Sequence, residues 1–168
     1  MPVLVDIQVA AHYEPLIDQA LIRQAVAATV EHQGWQEQSE VVVVITDDED
    51  IRSLNREFRN IDRPTDVLAF PGTLAEGFVT PEGYGGYLGD VVISYSRAEV
   101  QAAEAGHPTG RELQLLTVHG VLHLMGLDDT DEEGWRQMSR IQDEIMNSLA
   151  SSPSTTGGAN REGTASRQ

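Results

Sequence analysis

Hydrophobic residues along this 168-residue chain follow two different spacings, which predict strands and helices. Short runs rich in valine, isoleucine and leucine are typical of β-strands. Longer segments with apolar residues three or four positions apart are typical of amphipathic helices. The predicted elements, in chain order, are a strand at Val3–Val9, a helix at Pro15–His32, a strand at Glu40–Ile45, a helix at Asp47–Phe58, strands at Asp66–Phe70 and Tyr87–Ser94, a helix capped by Ser94 or Ser96 and ending near Gly106, a helix from Thr109 to Gly126 and a last helix from Thr130 to about Leu149.

The order of these elements indicates the fold class and the domain boundaries. Strands interleaved with helices are typical of the α/β (α+β) class, with about four strands packed against helices. The unbroken apolar run Glu40–Ile45 predicts a strand buried on both faces. A chain of this length usually forms one domain, which we place at residues 1–149. Residues 72–86 are rich in glycine and predict a loop, and residues 150–168 have the composition of a disordered tail.

Polar residues near the ends of the helices predict their N-caps. Thr46 or Asp47 is suited to cap the helix that follows the valine-rich strand. Thr109 is expected to cap the helix that contains two histidines. Thr130 and Glu133 have the spacing of a capping box for the last helix.

The most informative local pattern is a pair of histidines four residues apart near the end of a predicted helix. Residues at this spacing share one helix face, so His119 and His123 could bind the same metal ion. Gly126 can reverse the chain after the helix. The acidic pair that follows would then face the histidines, with Asp129 as the preferred third ligand and Asp128 as the second choice. Three ligands leave a fourth position open for chemistry.

Three further points bear on this site. Histidines at helical spacing among leucine, valine and methionine could instead be hydrogen-bonded core residues. The chain contains no cysteine, so any zinc would be held by imidazole and carboxylate groups. Zinc proteases of the H-E-x-x-H type place glutamate directly after the first histidine. Gly120 stands there in this chain, which argues against that class.

The charge pattern is uneven. The net charge of −16 disfavours non-specific binding to nucleic acid by the molecule as a whole. All eleven basic residues are arginine, and four of them, Arg52, Arg56, Arg59 and Arg63, lie within twelve residues. Arginine suits phosphate recognition, so this stretch could form a local anion site. Alternatively, it could pair with the acidic run at residues 47–50.

No apolar run approaches the ~20 residues that a membrane-spanning helix requires. The first residues also lack the basic region and long apolar segment of a signal peptide. We therefore expect a cytoplasmic protein without membrane association.

Three motifs resemble one protein family. The segment His119–Asp129 is similar to the signature H-G-x-L-H-L-x-G-Y-D-H of the YbeY family of bacterial rRNA maturation factors. The segment Leu54–Pro71 is similar to a family stretch that ends in P-T-D-V-L-S-F-P. Leu88–Ser94 is a third match in the same order. The resemblance covers roughly residues 3–149.

The resemblance implies a compact α/β fold with a mixed sheet and one zinc ion near the end of the histidine helix. It implies a metal-dependent endoribonuclease that acts on single-stranded RNA in small-subunit rRNA 3′-end maturation and ribosome quality control. His119 and His123 would be metal ligands with catalytic roles. Arg59 matches the family's arginine near the site and would contact RNA phosphate. Ribosomal proteins are further candidate partners.

The chain departs from the signature at two positions. Leu127 replaces the usual tyrosine, and Asp129 stands where a third histidine is expected. Aspartate can also bind zinc, and its negative charge would make a zinc-bound water a weaker acid. Asp128 and Asp90 are candidates for a general base, although structural roles suit both.

Two other functions stay open from the sequence. The protein could be a non-catalytic ribosome-assembly factor with a structural zinc ion. It could also be a metal-dependent hydrolase with another substrate.

Overall fold

A computed structural model describes residues 3–72 and 84–151 of the chain. The strands are β1 (Val3–Val9), β2 (Gln38–Thr46), β3 (Val67–Pro71) and β4 (Tyr84–Ser94). The helices are α1 (Gln19–His32), α2 (Asp48–Arg59), α3 (Tyr95–Ala105), α4 (Thr109–Leu124) and α5 (Glu132–Ser151), with a short 3₁₀ helix at Ala11–Leu16.

The four strands form one mixed sheet in the order β1-β2-β4-β3. β1, β2 and β4 run parallel to one another, whereas β3 runs antiparallel to β4. Parallel neighbours need a long connection, and α1 supplies it between β1 and β2. The α/β fold class with a four-stranded mixed sheet is therefore confirmed.

The main hydrophobic core lies between one face of this sheet and helices α1, α3 and α4. Val43 and Val91 of the sheet are fully buried there, as are Val26 of α1 and Val121 of α4. On the opposite face α2 packs through Ile51, which is also fully buried. Side chains alternate between the two faces of a strand, so the sheet separates these two layers.

Helix α4 is buried on most sides because it lies between the sheet and α5. Gly120 approaches the sheet so closely that a Cβ atom there would lie 2.5 Å from Cγ1 of Val91. On the other side, Val118 and Leu122 share a second apolar cluster with Met138 of α5. This packing fixes the last two turns of α4, which contain both histidines.

Several predicted boundaries are confirmed. β1 begins and ends at the predicted residues. Asp47 caps α2 by accepting a hydrogen bond from the backbone N–H of Asp50, and Ser94 caps α3 in the same way. The predicted start of the first helix at Pro15 is wrong. The chain forms a 3₁₀ turn there, and α1 begins after Asp18, whose side chain accepts from the Ala20 N–H.

Two predicted caps are also wrong. Pro108 occupies the N-cap of α4, without a side-chain hydrogen bond, and Thr109 is already in the helix. The expected capping box before α5 does not form, because the Thr130 hydroxyl donates to Asp128 instead. Asp131 takes its place and accepts a hydrogen bond from the Gly134 N–H at 2.8 Å.

The unbroken apolar run of β2 predicted a strand buried on both faces. This prediction is wrong for one of the two faces. Val42 and Val44 are only half-buried, because α2 packs mainly on β3 and β4. β4 begins at Tyr84, three residues before its predicted start, and the rest of the predicted loop at 73–83 lies outside the described residues. α5 continues to Ser151, and the remainder of the predicted tail is likewise not described.

Candidate metal centre

The two histidines predicted from the sequence share one face at the C-terminal end of α4. Their Nε2 atoms lie 3.1 Å apart. Both side chains are about three-quarters buried, each with 28% relative exposure. The arrangement leaves the two Nε2 atoms close together at a partly open surface.

The turn after α4 brings a carboxylate to this pair. Gly126 adopts a positive φ of 100°. The N–H groups of Gly126 and Leu127 donate to the carbonyls of His123 and Leu122, at 3.0 and 3.1 Å. These two bonds form the Schellman motif that ends a helix on a left-handed residue. The chain reverses there, as the glycine predicted.

Asp129 faces the histidines. Its two carboxylate oxygens lie 3.7 Å from Nε2 of His119 and 3.7 Å from Nε2 of His123, respectively. Asp128 accepts hydrogen bonds from the backbone N–H and hydroxyl of Thr130 and therefore fixes the turn. Of the two aspartates that the sequence left open, the geometry favours Asp129.

The other ring nitrogens of the two histidines also have partners. Nδ1 of His119 lies 2.5 Å from the amide oxygen of Gln142 on α5. His123 makes a hydrogen bond with the backbone of Leu127, which raises its pKa. A bond that raises the pKa is one that the ring donates. Nδ1 is the nitrogen available for it, because Nε2 faces His119.

Burial has the largest effect on His123 and lowers its pKa below the ordinary value. The neighbouring His119 lowers the pKa further, whereas Asp129 raises it. The neutral imidazole, which is the form that binds metal, is therefore favoured at neutral pH.

The donor set fits one divalent metal ion. A tetrahedral zinc ion about 2.0–2.1 Å from its ligands needs ligand atoms roughly 3.3 Å apart. The two Nε2 atoms lie 3.1 Å apart, and each lies 3.7 Å from a different oxygen of Asp129. One ligand atom from each of the three residues lies within 4.8 Å of the other two, so an inward shift of the carboxylate would complete the geometry. Protons on both Nδ1 atoms would also leave two Nε2 lone pairs facing each other, an arrangement that a cation stabilises. Within the described residues, His119, His123 and Asp129 form the cluster able to hold a metal ion.

Arg59, at the end of α2, lies in the same cleft as the histidines. The cleft has a volume of about 220 Å³ and is lined by both histidines, Gly120 and Arg59. The Arg59 guanidinium donates to the Ala69 carbonyl at 2.7 Å and lies 5.5 Å from the centre of the Phe70 ring. These contacts hold a cation beside the candidate metal cluster.

The four clustered arginines differ in their partners. Arg52 donates to Asp62 at 2.9 Å, and Arg56 lies 3.6 Å from the same carboxylate. The acidic run at 47–50, which was the predicted alternative, instead pairs with Arg97 through Asp48. Arg59 and Arg63 have no salt bridge to a described acidic residue, and both line a second pocket of about 260 Å³ beside the first. Two of the four arginines, Arg59 and Arg63, therefore stay available to bind an anion.

Asp90 does not face the candidate metal centre. Its neighbour Val91 packs against Gly120 of α4, and successive side chains of a strand point to opposite faces. Burial raises the pKa of Asp90, and its Oδ1 atom is buried without a hydrogen bond to any described group. A role as the general base at this site is therefore not supported.

Gln142 is the residue at this site that sequence reasoning missed. It lies 23 positions after His119, on a different helix, and belongs to no local motif. Helical periodicity alone places it only near the packing face of α5 that contains Met138 and Ile145.

A mixed α/β sheet with a histidine–histidine–aspartate cluster at a cleft, next to an arginine, is the arrangement of a metal-dependent hydrolase acting on an anionic substrate. Comparison with known proteins defines the family. The chain matches the family described as Endoribonuclease YbeY over residues 8–150. The chain belongs to this family.

Individual relatives and one solved structure agree. The chain is 45% identical to an Endoribonuclease YbeY from Roseiflexus castenholzii, over 75% of this chain and 79% of that protein. It is 42% identical to one from Roseiflexus sp. (strain RS-1), over 86% of this chain and 92% of that protein. The solution structure of TM1509 from Thermotoga maritima is similar in fold, with a TM-score of 0.52 and 26% identity over 89% of this chain and 94% of that one.

Proposed function

We propose that this protein is a zinc-dependent endoribonuclease that cleaves single-stranded RNA, in maturation of the 3′ end of small-subunit rRNA and in ribosome quality control. Membership of the endoribonuclease family supports the reaction class. The observation that carries the proposal is the cleft in which Arg59 lies beside His119 and His123. Metal ligands and a phosphate-binding cation are two components that assist phosphodiester hydrolysis.

In this proposal, His119, His123 and Asp129 hold one zinc ion. When bound, zinc supplies a Lewis acid and lowers the pKa of a water molecule in the open coordination position. Gln142 and the Leu127 carbonyl keep the two rings oriented. Asp129 adds a negative charge, which would strengthen the binding of a cation. The same charge would make a water bound to that cation a weaker acid than in a site with three histidines.

Arg59 is assigned to the scissile phosphate. Its contacts with Ala69 and Phe70 fix the guanidinium, and the remaining N–H groups can donate to phosphate oxygens in the cleft. Arg63 lies beside the neighbouring pocket and can meet the RNA strand farther along. These two arginines give an acidic protein a local site for a polyanion.

The geometry favours an enzyme over an assembly factor with a structural zinc ion. Structural zinc sites have four protein ligands and are closed to solvent. Here three ligand groups are found among the described residues, and their side chains keep 28–30% exposure at a cleft. A partly open three-ligand site is typical of catalysis.

The test measures zinc content and cleavage of a labelled single-stranded RNA, with a duplex of the same sequence for comparison. We expect the wild type to bind one zinc ion, cleave the single strand, lose activity with a chelator and regain it with zinc. His123→Ala and Asp129→Ala should reduce both zinc content and cleavage, whereas His12→Ala, which removes an exposed imidazole outside the cluster, should reduce neither.

Each part of the proposal has its own contradicting result. Cleavage that persists in chelator excludes the metal role. A folded wild-type protein that binds zinc but cleaves no RNA favours the assembly factor. A precursor of small-subunit rRNA should be cut near its 3′ end, and cutting elsewhere would remove that assignment.

A further inference from the structure

Helix α5 contributes a polar side chain to the candidate metal centre. Gln142 is half-buried, and its Oε1 atom lies 2.5 Å from Nδ1 of His119. An amide oxygen only accepts hydrogen bonds, so Nδ1 of His119 must be the donor and must carry the ring proton. In the neutral ring, this leaves the lone pair on Nε2, which faces His123 and Asp129.

Without such an acceptor, a neutral histidine exchanges between two tautomers. In one of them the proton lies on Nε2, and that nitrogen cannot bind a cation. The partner of the second ring nitrogen therefore affects both the orientation of a histidine ligand and its basicity. For His123, a backbone group at Leu127 provides this partner, so a side-chain change cannot remove it. For His119, the partner is a side chain that can be altered.

The chemical nature of the partner matters as well. The cluster already contains one carboxylate, Asp129, within 3.7 Å of both histidines. A neutral amide orients His119 without adding a second negative charge next to the metal site. A carboxylate at the same place would orient the ring equally well and would raise its basicity.

We propose that Gln142 is a positioning residue that keeps His119 in the Nδ1–H tautomer and thereby sets the metal affinity of the centre. This inference rests on the proposed function, because it requires a metal ion at His119, His123 and Asp129. α5 is held against α4 by Met138 and Ile145, so the position of Gln142 follows from the packing of these helices.

The first experiment needs no metal. Long-range proton–nitrogen NMR spectra of the metal-free protein report which ring nitrogen of His119 is protonated. We expect the Nδ1–H form in the wild type and a mixture with the Nε2–H form in Gln142→Leu. A predominant Nε2–H form in the wild type, or an unchanged spectrum in Gln142→Leu, would overturn the proposal.

The second experiment measures zinc affinity by competition with a chelating dye. Gln142→Leu removes the acceptor at similar size and should weaken binding by about 10–100-fold. Gln142→Glu keeps an acceptor and should bind zinc at least as tightly as the wild type. Gln137→Leu is the matched control, because Gln137 is an exposed glutamine on the same helix, and should leave the affinity unchanged.

Thermal unfolding of the metal-free variants separates positioning from folding. The midpoint of Gln142→Leu should stay near that of the wild type, while the increase on adding zinc becomes smaller. Equal zinc affinity in wild type and Gln142→Leu would refute the role of Gln142 and leave the metal site intact. A wild type that binds no zinc would instead refute the proposed function.

Discussion

Among single residues, the arginines near α2 show how local pairing selects those that can act on a substrate. Arg52 and Arg56 share the carboxylate of Asp62, which compensates half of their combined charge and binds the Arg52 guanidinium directly. Arg59 is fixed by a carbonyl and an aromatic ring, neither of which cancels its charge. Four arginines that are equivalent in the sequence therefore have different capacities to bind an anion.

This difference predicts the effects of two matched substitutions. Arg59→Gln should lower kcat for RNA cleavage by about 100-fold, because a fixed donor to the developing phosphate charge is lost. Arg52→Gln removes the same charge from the same helix and should change kcat little. Steady-state cleavage of a short single-stranded RNA measures both. A similar loss in the two variants would show that Arg59 acts only through the general charge of the helix.

At the scale of elements, what could be predicted depends on whether the deciding interactions are local. The histidine pair, the reversal at Gly126 and Asp129 could all be predicted, because they lie within one helix and its terminal turn. The start of α1 could not be predicted, since Pro15 and Leu16 continue the apolar spacing although the chain there forms a 3₁₀ turn. Gln142 was hidden for a different reason. Its contact with His119 depends on how α5 packs on α4.

The start of α5 packs against the turn that follows α4, and this contact limits which residues are tolerated there. A Cβ atom at Gly134 would lie 2.1 Å from the backbone carbonyl oxygen of Asp128, in the turn that holds Asp129. Backbone atoms in a fixed turn cannot move aside as the end of a flexible side chain can. The first turn of α5 therefore packs directly against the turn that contains Asp129.

Gly134→Ala should consequently damage the metal centre from outside it. Alanine favours a helix by about 1 kcal/mol over glycine, but overpacking costs about 1–3 kcal/mol, so the free energy of unfolding should fall. Displacement of Asp129 should also weaken zinc affinity by about tenfold or more. Gly110→Ala is the control, because its Cβ atom would meet only the Cδ1 atom of Leu21, at 2.8 Å. Unchanged zinc affinity in Gly134→Ala would show that the turn adapts independently of α5.

For the molecule as a whole, the net charge of −16 means that negative charges repel one another in the folded state. A carboxylate that is removed from water adds to this destabilisation when it is ionised. Asp90 lies in the interior strand β4, between Val42 and Phe70 of the neighbouring strands. Burial raises its pKa above the ordinary value of 3.8. None of the described helices is long and apolar enough to cross a membrane.

The raised pKa of Asp90 predicts how stability depends on pH. The folded state favours the protonated carboxylic acid of Asp90. The stabilisation that this protonation gives is complete below pH 3.8 and is lost as the pH rises through the raised pKa of Asp90 in the folded state. Asp90→Asn should therefore raise the free energy of unfolding at pH 7.5, and the gain should shrink towards zero near pH 4. Urea unfolding at both pH values measures this, with Asp6→Asn as the control at an exposed aspartate of β1. If Asp90→Asn is less stable than the wild type at pH 7.5, a favourable partner stabilises the ionised carboxylate.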